Sequence, residues 1–382
     1  MKRLTGVFLA LILLVAVFPV GAKAADMDIE AKSAVLMDVA TGTVIYEQDS
    51  HTPLAPASVT KVMTMLLIME AIDSGKIRWE DMVTASEEAA AKGGSQVYLK
   101  VGETMSVADM VKAIAVSSAN DCACAMAEHI AGSEAAFVEK MNDRAKELGM
   151  EDTKFVNCTG LDDSEEAKEH KTSAHDIGLM SRELLKNHPD IKKYTTIWMD
   201  TLRNGTFGLS NTNKMVRFYN GATGLKTGFT SGAGYCLSAS AQREGMELVA
   251  VVMGCETSAK RFAACKSMLD YGFANYAIIQ PEAPEEMSVA VKLGKEALVQ
   301  AVPAKQEALL IDKGQKSEVS IQTELEELVS APVSKGQRLG TMRILVGKQI
   351  LKEIPLVAEE AVAKLRFSDI FLKLFRQLTM AE

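Results

Sequence analysis

Ser58-Val59-Thr60-Lys61 sets a hydroxyl and an amine three residues apart, where a proline-bearing loop gives way to the apolar helical run Val62, Met63, Leu66, Leu67, Met69 and Ile72. Residues three apart share one face of a helix, so the Lys61 amine can reach the Ser58 hydroxyl. A serine hydroxyl is a poor nucleophile until a neighbouring base takes its proton. Lysine becomes such a base when burial or nearby positive charge lowers its pKa. Alone, the tetrapeptide is weak evidence, because a serine at a helix start is also an ordinary N-cap.

Two more motifs follow in order. Ser118-Ala119-Asn120 opens a small-residue helix through Cys122 to Ala127, where Ser and Asn either cap the helix or aim polar groups into a cleft. Lys226-Thr227-Gly228 precedes the turn Ser231-Gly232-Ala233-Gly234. On a strand, Lys226 and Gly228 share a face and Thr227 points the other way, unless a twist at Gly228 turns its hydroxyl toward a ligand. The missing side chain of Gly228 leaves room for a substrate at the strand edge. The plain alternative is a surface lysine before a turn.

The elements that must position these residues are legible as periodicity. Ala34–Met37 and Thr43–Tyr46 alternate as two strands about the turn Ala40-Thr41-Gly42, predicting a hairpin. Helical spacing runs from Val107 to Ile130 and from Glu134 to Leu148. Strand patterns return over Gly224–Thr227, Tyr235–Ala241 and Leu248–Met253, followed by a helix over Ala259–Ala274. The result is an α/β (α+β) domain, an antiparallel sheet holding a helical subdomain. Pro281-Glu282-Ala283-Pro284-Glu285-Glu286 reads as a linker, and the short strands beyond it to Val357 as a small all-β domain.

The two ends have their own chemistry. Lys2 and Arg3, an apolar stretch from Leu4 to Val20 and the small-residue site Ala22-Lys23-Ala24 read as a signal peptide cleaved after Ala24. At the other end Phe367, Ile370, Phe371, Leu374, Phe375 and Leu378 recur at helical spacing, with Lys364, Arg366, Lys373 and Arg376 on other faces. That pattern is an amphipathic helix that lies in a membrane surface or packs on the protein. The expected organisation is a signal peptide over 1–24, a catalytic domain over 25–280, a β domain over 281–357 and an anchor helix over 358–382.

Composition excludes several classes. At 382 residues the chain is long enough for two domains, and its formal charge of −8, more negative once the leader is gone, opposes binding to nucleic acid. Six cysteines are dispersed rather than clustered, and Cys122 and Cys124, two apart on a helix, face away from each other, so buried free thiols are expected in most positions. The five histidines, His170 and His175 among them, have no metal-ligand spacing, so neither a metal nor another cofactor is expected.

The order S-x-x-K, S-x-N, K-T-G is that of the serine β-lactamases and penicillin-binding proteins. With Pro56-Ala57-Ser58, Phe155-Val156-Asn157 before Gly160-Leu161-Asp162, Gly224-Leu225-Lys226-Thr227-Gly228 and Lys335-Gly336-Gln337, the chain resembles, over nearly its whole length, the low-molecular-mass penicillin-binding proteins of the D-alanyl-D-alanine carboxypeptidase type. The resemblance implies a β-lactamase/transpeptidase-like catalytic domain. It implies that Ser58 attacks the carbonyl between two terminal D-alanines of a peptidoglycan stem peptide, with Lys61 as base and Ser118 relaying a proton to the leaving amine. It also implies that Asn120 holds Lys61 and the substrate amide, and that Lys226 and Thr227 attract the terminal carboxylate. The N–H groups of Ser58 and Phe229 would form the oxyanion hole, for which the phenylalanine that replaces the histidine of some members leaves the backbone donor intact. Arg261 resembles an arginine that contacts the substrate carboxylate, with an external salt bridge as its alternative. β-Lactam antibiotics would be covalent inhibitors, and the site of action the outer face of the cytoplasmic membrane.

Three rivals remain. A D,D-endopeptidase uses the same chemistry on a different leaving amine, and an inactive cell-wall-binding protein would not need three complete motifs. A β-lactamase needs a deacylating carboxylate in E-x-x-L-N. The nearest sequence, Glu183-Leu184-Leu185-Lys186-Asn187, has leucine one place early on an amphipathic helix.

Overall fold

The computed structural model describes residues 27–371 and Phe375. The signal-peptide reading therefore falls outside the described residues.

The N-terminal domain is built on a five-stranded antiparallel sheet in the order Val44–Gln48, Ser33–Asp38, Met246–Cys255, Gly234–Arg243, Ala222–Thr230. The expected hairpin, the three later strands and the final helix are all present, each a few residues longer than its pattern. Both faces of the sheet are covered, and the alternation of side chains sorts them cleanly. Val35, Val249, Val251 and Met253 point into a core shared with the helical subdomain. Ala34, Leu36, Leu248, Ala250 and Val252 point into a second core against the helix Ser258–Asn275.

The helical subdomain surrounds the helix Lys61–Asp73, which buries residues on every side and so carries no polar face. Its neighbours begin at side-chain caps read from ordinary serines. Ser106 Oγ accepts from Asp109 N at 3.2 Å, Ser133 Oγ from Ala136 N at 3.1 Å and Ser173 Oγ from Asp176 N at 3.2 Å. The helical stretch from Val107 to Ile130 forms two helices, Val107–Ser117 and Asn120–Ala131, the second opening at Ser118-Ala119-Asn120 as the sequence indicated. Ser118 makes the break by adopting left-handed backbone with φ 65°.

The C-terminal domain is all β. Its six-stranded sheet runs Val319–Leu325, Arg338–Val346, Gln349–Ala358, Leu298–Pro303, Ser288–Lys292, Leu328–Ser330, with only the last pair parallel. Val289, Val299, Leu339, Ile344, Ile354 and Leu356 fill its core. The segment expected as an anchor helix from 358 begins differently. Val362 is buried and exchanges hydrogen bonds with Val333, so this stretch is part of the sheet's cover, and helix starts only at Phe367. Lys373, Leu374, Arg376 and Leu378 lie outside the described residues.

Candidate active site

Ser58 sits in a 3-10 turn, Ala57–Thr60, immediately before the helix Lys61–Asp73. Neither Pro56 nor Thr60, the residues at the N-cap positions, makes a side-chain cap, and the Ser58 hydroxyl is not used as one. It meets Lys61 instead, with Nζ 3.0 Å from Oγ. Lys61 is fully buried, and burial brings its pKa from the usual lysine range down to about 7, against smaller upward pulls from Cys158 and Asp121.

A second contact orients the amine. Lys61 Nζ donates to the carbonyl of Thr159 at 2.7 Å. That carbonyl belongs to a loop braced from several sides. Asn157 Oδ1 accepts from the backbone N–H groups of Thr159 at 3.2 Å and Gly160 at 2.7 Å, and Asn157 Nδ2 donates to Leu161 O at 2.9 Å. Glu134 Oε1 accepts from Cys158 N at 3.0 Å, and Thr64 Oγ1 donates to Cys158 O at 2.6 Å. Sequence reasoning missed Thr159 because a backbone carbonyl leaves no mark of residue type. Asn157 three places before Gly160 was a usable signal, since this pairing closes turns.

The strand carrying the third motif lies directly against the turn that holds Ser58. A Cβ built on Gly228 would fall 2.6 Å from the Pro56 carbonyl oxygen and 3.1 Å from the Ser58 nitrogen. The space expected for substrate at Gly228 is therefore occupied by the turn itself, and the glycine permits strand and turn to close on each other. Lys226 is buried rather than a surface lysine. Its Nζ donates to Thr227 O at 2.9 Å, and burial, then the charges of Lys61 and Arg261, hold its pKa well below the usual value. Thr227 Oγ1 donates to Thr212 Oγ1 at 2.7 Å, while Thr212 N donates to Val116 O at 3.1 Å. Thr212, unmarked in the sequence, thus ties the third motif to the helix that ends at Ser118.

Ser118 and Asn120 are both buried at the helix break. Asn120 Nδ2 donates to Gly93 O at 2.7 Å and its backbone N to Ser95 O at 2.7 Å. Of its side-chain amide only Nδ2 is so engaged, and Lys61 Nζ bonds to Thr159 O rather than to Asn120. Asn120 Oδ1 is buried without a partner among the described residues. Asp121, next in sequence, holds the facing loop by accepting from Val97 N at 3.1 Å and Leu99 N at 3.0 Å.

Phe229 is half exposed and stacks on Tyr235 with ring centres 4.3 Å apart. Arg261 lies behind the strand. Its Nη1 donates to Gly228 O at 3.0 Å and Cys236 O at 3.3 Å, clamping two residues that face each other across adjacent strands. The guanidinium also stands over the Tyr235 and Phe262 rings at 5.3 and 4.9 Å. Buried there and bonded to carbonyls, it forms no external salt bridge with any described carboxylate.

All six cysteines are buried free thiols. Among the described residues two side-chain groups bring three potential ligand atoms together, Glu70/Glu183/His188 and Glu88/Cys124/Glu134. Each already holds a protein cation, Arg144 on Glu70 and Glu183, and Lys92 on Glu88 and Glu134. Glu183, the nearest match to a deacylating carboxylate, is therefore engaged by Arg144 at 2.7 Å.

Residues 20–257 match the family described as D-alanyl-D-alanine carboxypeptidase (peptidase S11), and residues 279–364 match the penicillin-binding protein 5 C-terminal domain. The chain belongs to the D-alanyl-D-alanine carboxypeptidase family. It is 44% identical to the D-alanyl-D-alanine carboxypeptidase DacF of Bacillus subtilis over 98% of this chain and 97% of that one. It is 33% identical to DacC of Escherichia coli over 87% and 84%. Penicillin-binding protein 5 from Haemophilus influenzae superposes with a TM-score of 0.77 at 32% identity, covering 88% of this chain and 99% of that one. Penicillin-binding protein D2 from Listeria monocytogenes, solved with ampicillin bound, gives 0.59 at 32% identity over 65% of this chain and 99% of its own.

Proposed function

We propose that this D-alanyl-D-alanine carboxypeptidase works through an acyl-enzyme on Ser58. The observation that carries the reading is Lys61 Nζ, fully buried and 3.0 Å from Ser58 Oγ with its pKa brought to about 7. A neutral amine with one hydrogen on Thr159 O keeps its lone pair for the Ser58 proton. Ser58 Oγ then bonds to the carbonyl carbon, the C–N bond breaks, and the terminal D-alanine leaves as an amine with a proton relayed through Ser118. Water hydrolyses the ester and restores the serine.

The substrate's terminal carboxylate fits beside Lys226 and Thr227. Burial and the charges of Lys61 and Arg261 lower the Lys226 pKa, and an incoming carboxylate opposes that shift, so binding favours the protonated amine. Asn120 Oδ1, a buried acceptor, is available for the N–H of the scissile peptide. The N–H groups of Ser58 and Phe229 serve the developing oxyanion. Arg261 acts through Gly228, by holding the strand that carries Phe229 and packs against the Ser58 turn.

The leader over 1–24 directs export, and the catalytic domain over 25–280 is carried on the β domain, 281–357, at the outer face of the cytoplasmic membrane. Phe367, Ile370 and Phe371, all exposed on the described turn of the terminal helix, support an interfacial anchor. No helix of the described residues is long and apolar enough to cross a membrane. Mass spectrometry after exposure to penicillin tests the central claim. The expected adduct is on Ser58, and Ser58→Ala neither takes the label nor releases D-alanine; turnover retained by that variant would defeat the mechanism.

A further inference from the structure

A directional chain of hydrogen bonds ends on the residue before the nucleophile. Val156 N donates to His170 Nδ1 at 3.1 Å, so that nitrogen carries no proton and Nε2 carries it. His170 Nε2 lies 2.8 Å from Thr60 Oγ1, and Thr60 Oγ1 donates to Ala57 O at 2.8 Å. Every donor in the sequence Val156, His170, Thr60 therefore meets one acceptor, and the last acceptor is the carbonyl of Ala57. His170 and Thr60 are both buried, with the Phe155 ring edge-on to the imidazole at 5.6 Å. Burial, with the charge of Lys61 adding to it, brings His170 down to about 4, so the imidazole stays neutral at working pH.

The far end of the chain is where support is needed. Ala57 has φ +48°, left-handed backbone that a residue with a Cβ adopts only when its surroundings hold it there. Gly160, with φ +80°, closes over the same carbonyl so tightly that an added Cβ would fall 1.8 Å from Ala57 O and 2.7 Å from Thr60 Oγ1. The hydroxyl of Thr60 and the bare Cα of Gly160 thus grip one strained peptide, and that peptide sets the direction in which Ser58 leaves the turn.

We propose that His170 and Thr60 are positioning residues for acylation, a buried strut that fixes the Ala57 peptide and with it the aim of Ser58 Oγ. The inference rests on Ser58 being the nucleophile. A misplaced attacking atom costs roughly tenfold to a hundredfold in rate without loss of the reacting groups. Thr60→Val removes the hydroxyl while keeping the shape of the side chain, and Thr60→Ser keeps the hydroxyl.

The test measures the acylation rate with penicillin, and kcat and KM for D-alanine release, for the full chain and both variants below their melting temperatures. Thr60→Val should acylate at least about tenfold more slowly, with kcat falling and KM held within about twofold, and Thr60→Ser should stay within about threefold of the parent. His170→Gln, which retains a side-chain N–H, should likewise outperform His170→Leu; this pair decides the matter if Thr60→Val does not fold. Acylation of Thr60→Val at the parent rate, or equal losses in Thr60→Val and Thr60→Ser, overturns the strut. Peptide mapping of the parent adduct tests Ser58 separately, since a label on another residue defeats the nucleophile assignment whatever the Thr60 variants do.

Discussion

Lys61 lies closer to Thr159 than to Ser58: its Nζ is 2.7 Å from the Thr159 carbonyl oxygen and 3.0 Å from the serine hydroxyl. The carbonyl acts as an aiming post. It holds the amine beside Ser58, and in the proposed mechanism this leaves the lone pair of the neutral amine for the serine proton.

A pH profile follows. Only the neutral amine accepts the Ser58 proton, and the Lys61 pKa is near 7, so the acylation rate with penicillin should rise about tenfold per pH unit below 7 and level off above it. A flat rate between pH 5.5 and 9 would remove Lys61 from the role of base.

The same shift has a signature in stability. An unfolded lysine titrates near 10.5, whereas burial brings Lys61 in the folded chain to about 7. Between these values the unfolded chain binds the extra proton, so the Lys61 contribution favours folding increasingly as pH rises and is at its most unfavourable below 7. Denaturant midpoints of Lys61→Met relative to the parent should therefore shift in the variant's favour as pH falls from 10 to 7, then stay constant. A pH-independent difference would mean that Lys61 is not held neutral.

Arg261→Met should leave the carbonyls of Gly228 and Cys236 without their buried donor, at a cost of about 1–3 kcal/mol in stability. Because those carbonyls fix the strand beside Ser58, kcat/KM for D-alanine release should drop about tenfold or more. Full activity in a destabilised variant would limit Arg261 to a packing role.

Truncation must respect the β domain. Removing 367–382 should move active enzyme from the membrane fraction to the soluble one, because it deletes the exposed Phe367, Ile370 and Phe371 and spares the Val333–Val362 pairing. A cut at Val362 should instead destabilise the β domain. Membrane retention of the 367–382 deletion would contradict the anchor.

The penicilloyl adduct should be long-lived, and Glu183→Ala should not lengthen it, since Arg144 already holds that carboxylate. A shift in adduct lifetime in Glu183→Ala would reopen the β-lactamase reading. The lost ion pair itself should cost up to about 1 kcal/mol.

The three motifs were legible because each depends on side-chain type at short spacing, and the sheet because both cores obey a two-residue alternation. What surrounds the motifs was not. The Thr159 carbonyl reaches Lys61 across the chain, His170 meets Thr60 from a distant loop, and Arg261 approaches Gly228 from the rear of the strand. Such contacts are properties of tertiary packing, and local patterns carry no trace of them. A helix start at Ser118-Ala119-Asn120 was legible, but the left-handed backbone of Ser118 that separates the two helices was not, since the apolar spacing of Val107–Ile130 continues through it. Gly228 shows the opposite error: its missing side chain was noticed, but it serves contact with the nucleophile turn.

None of the six thiols forms a bridge, and all are shielded inside the domain that carries the active site. Maturation is thereby uncoupled from oxidant supply. The chain made in a reducing compartment has no cross-link to miss and none to scramble, so it should reach the same folded state there as in an oxidising one.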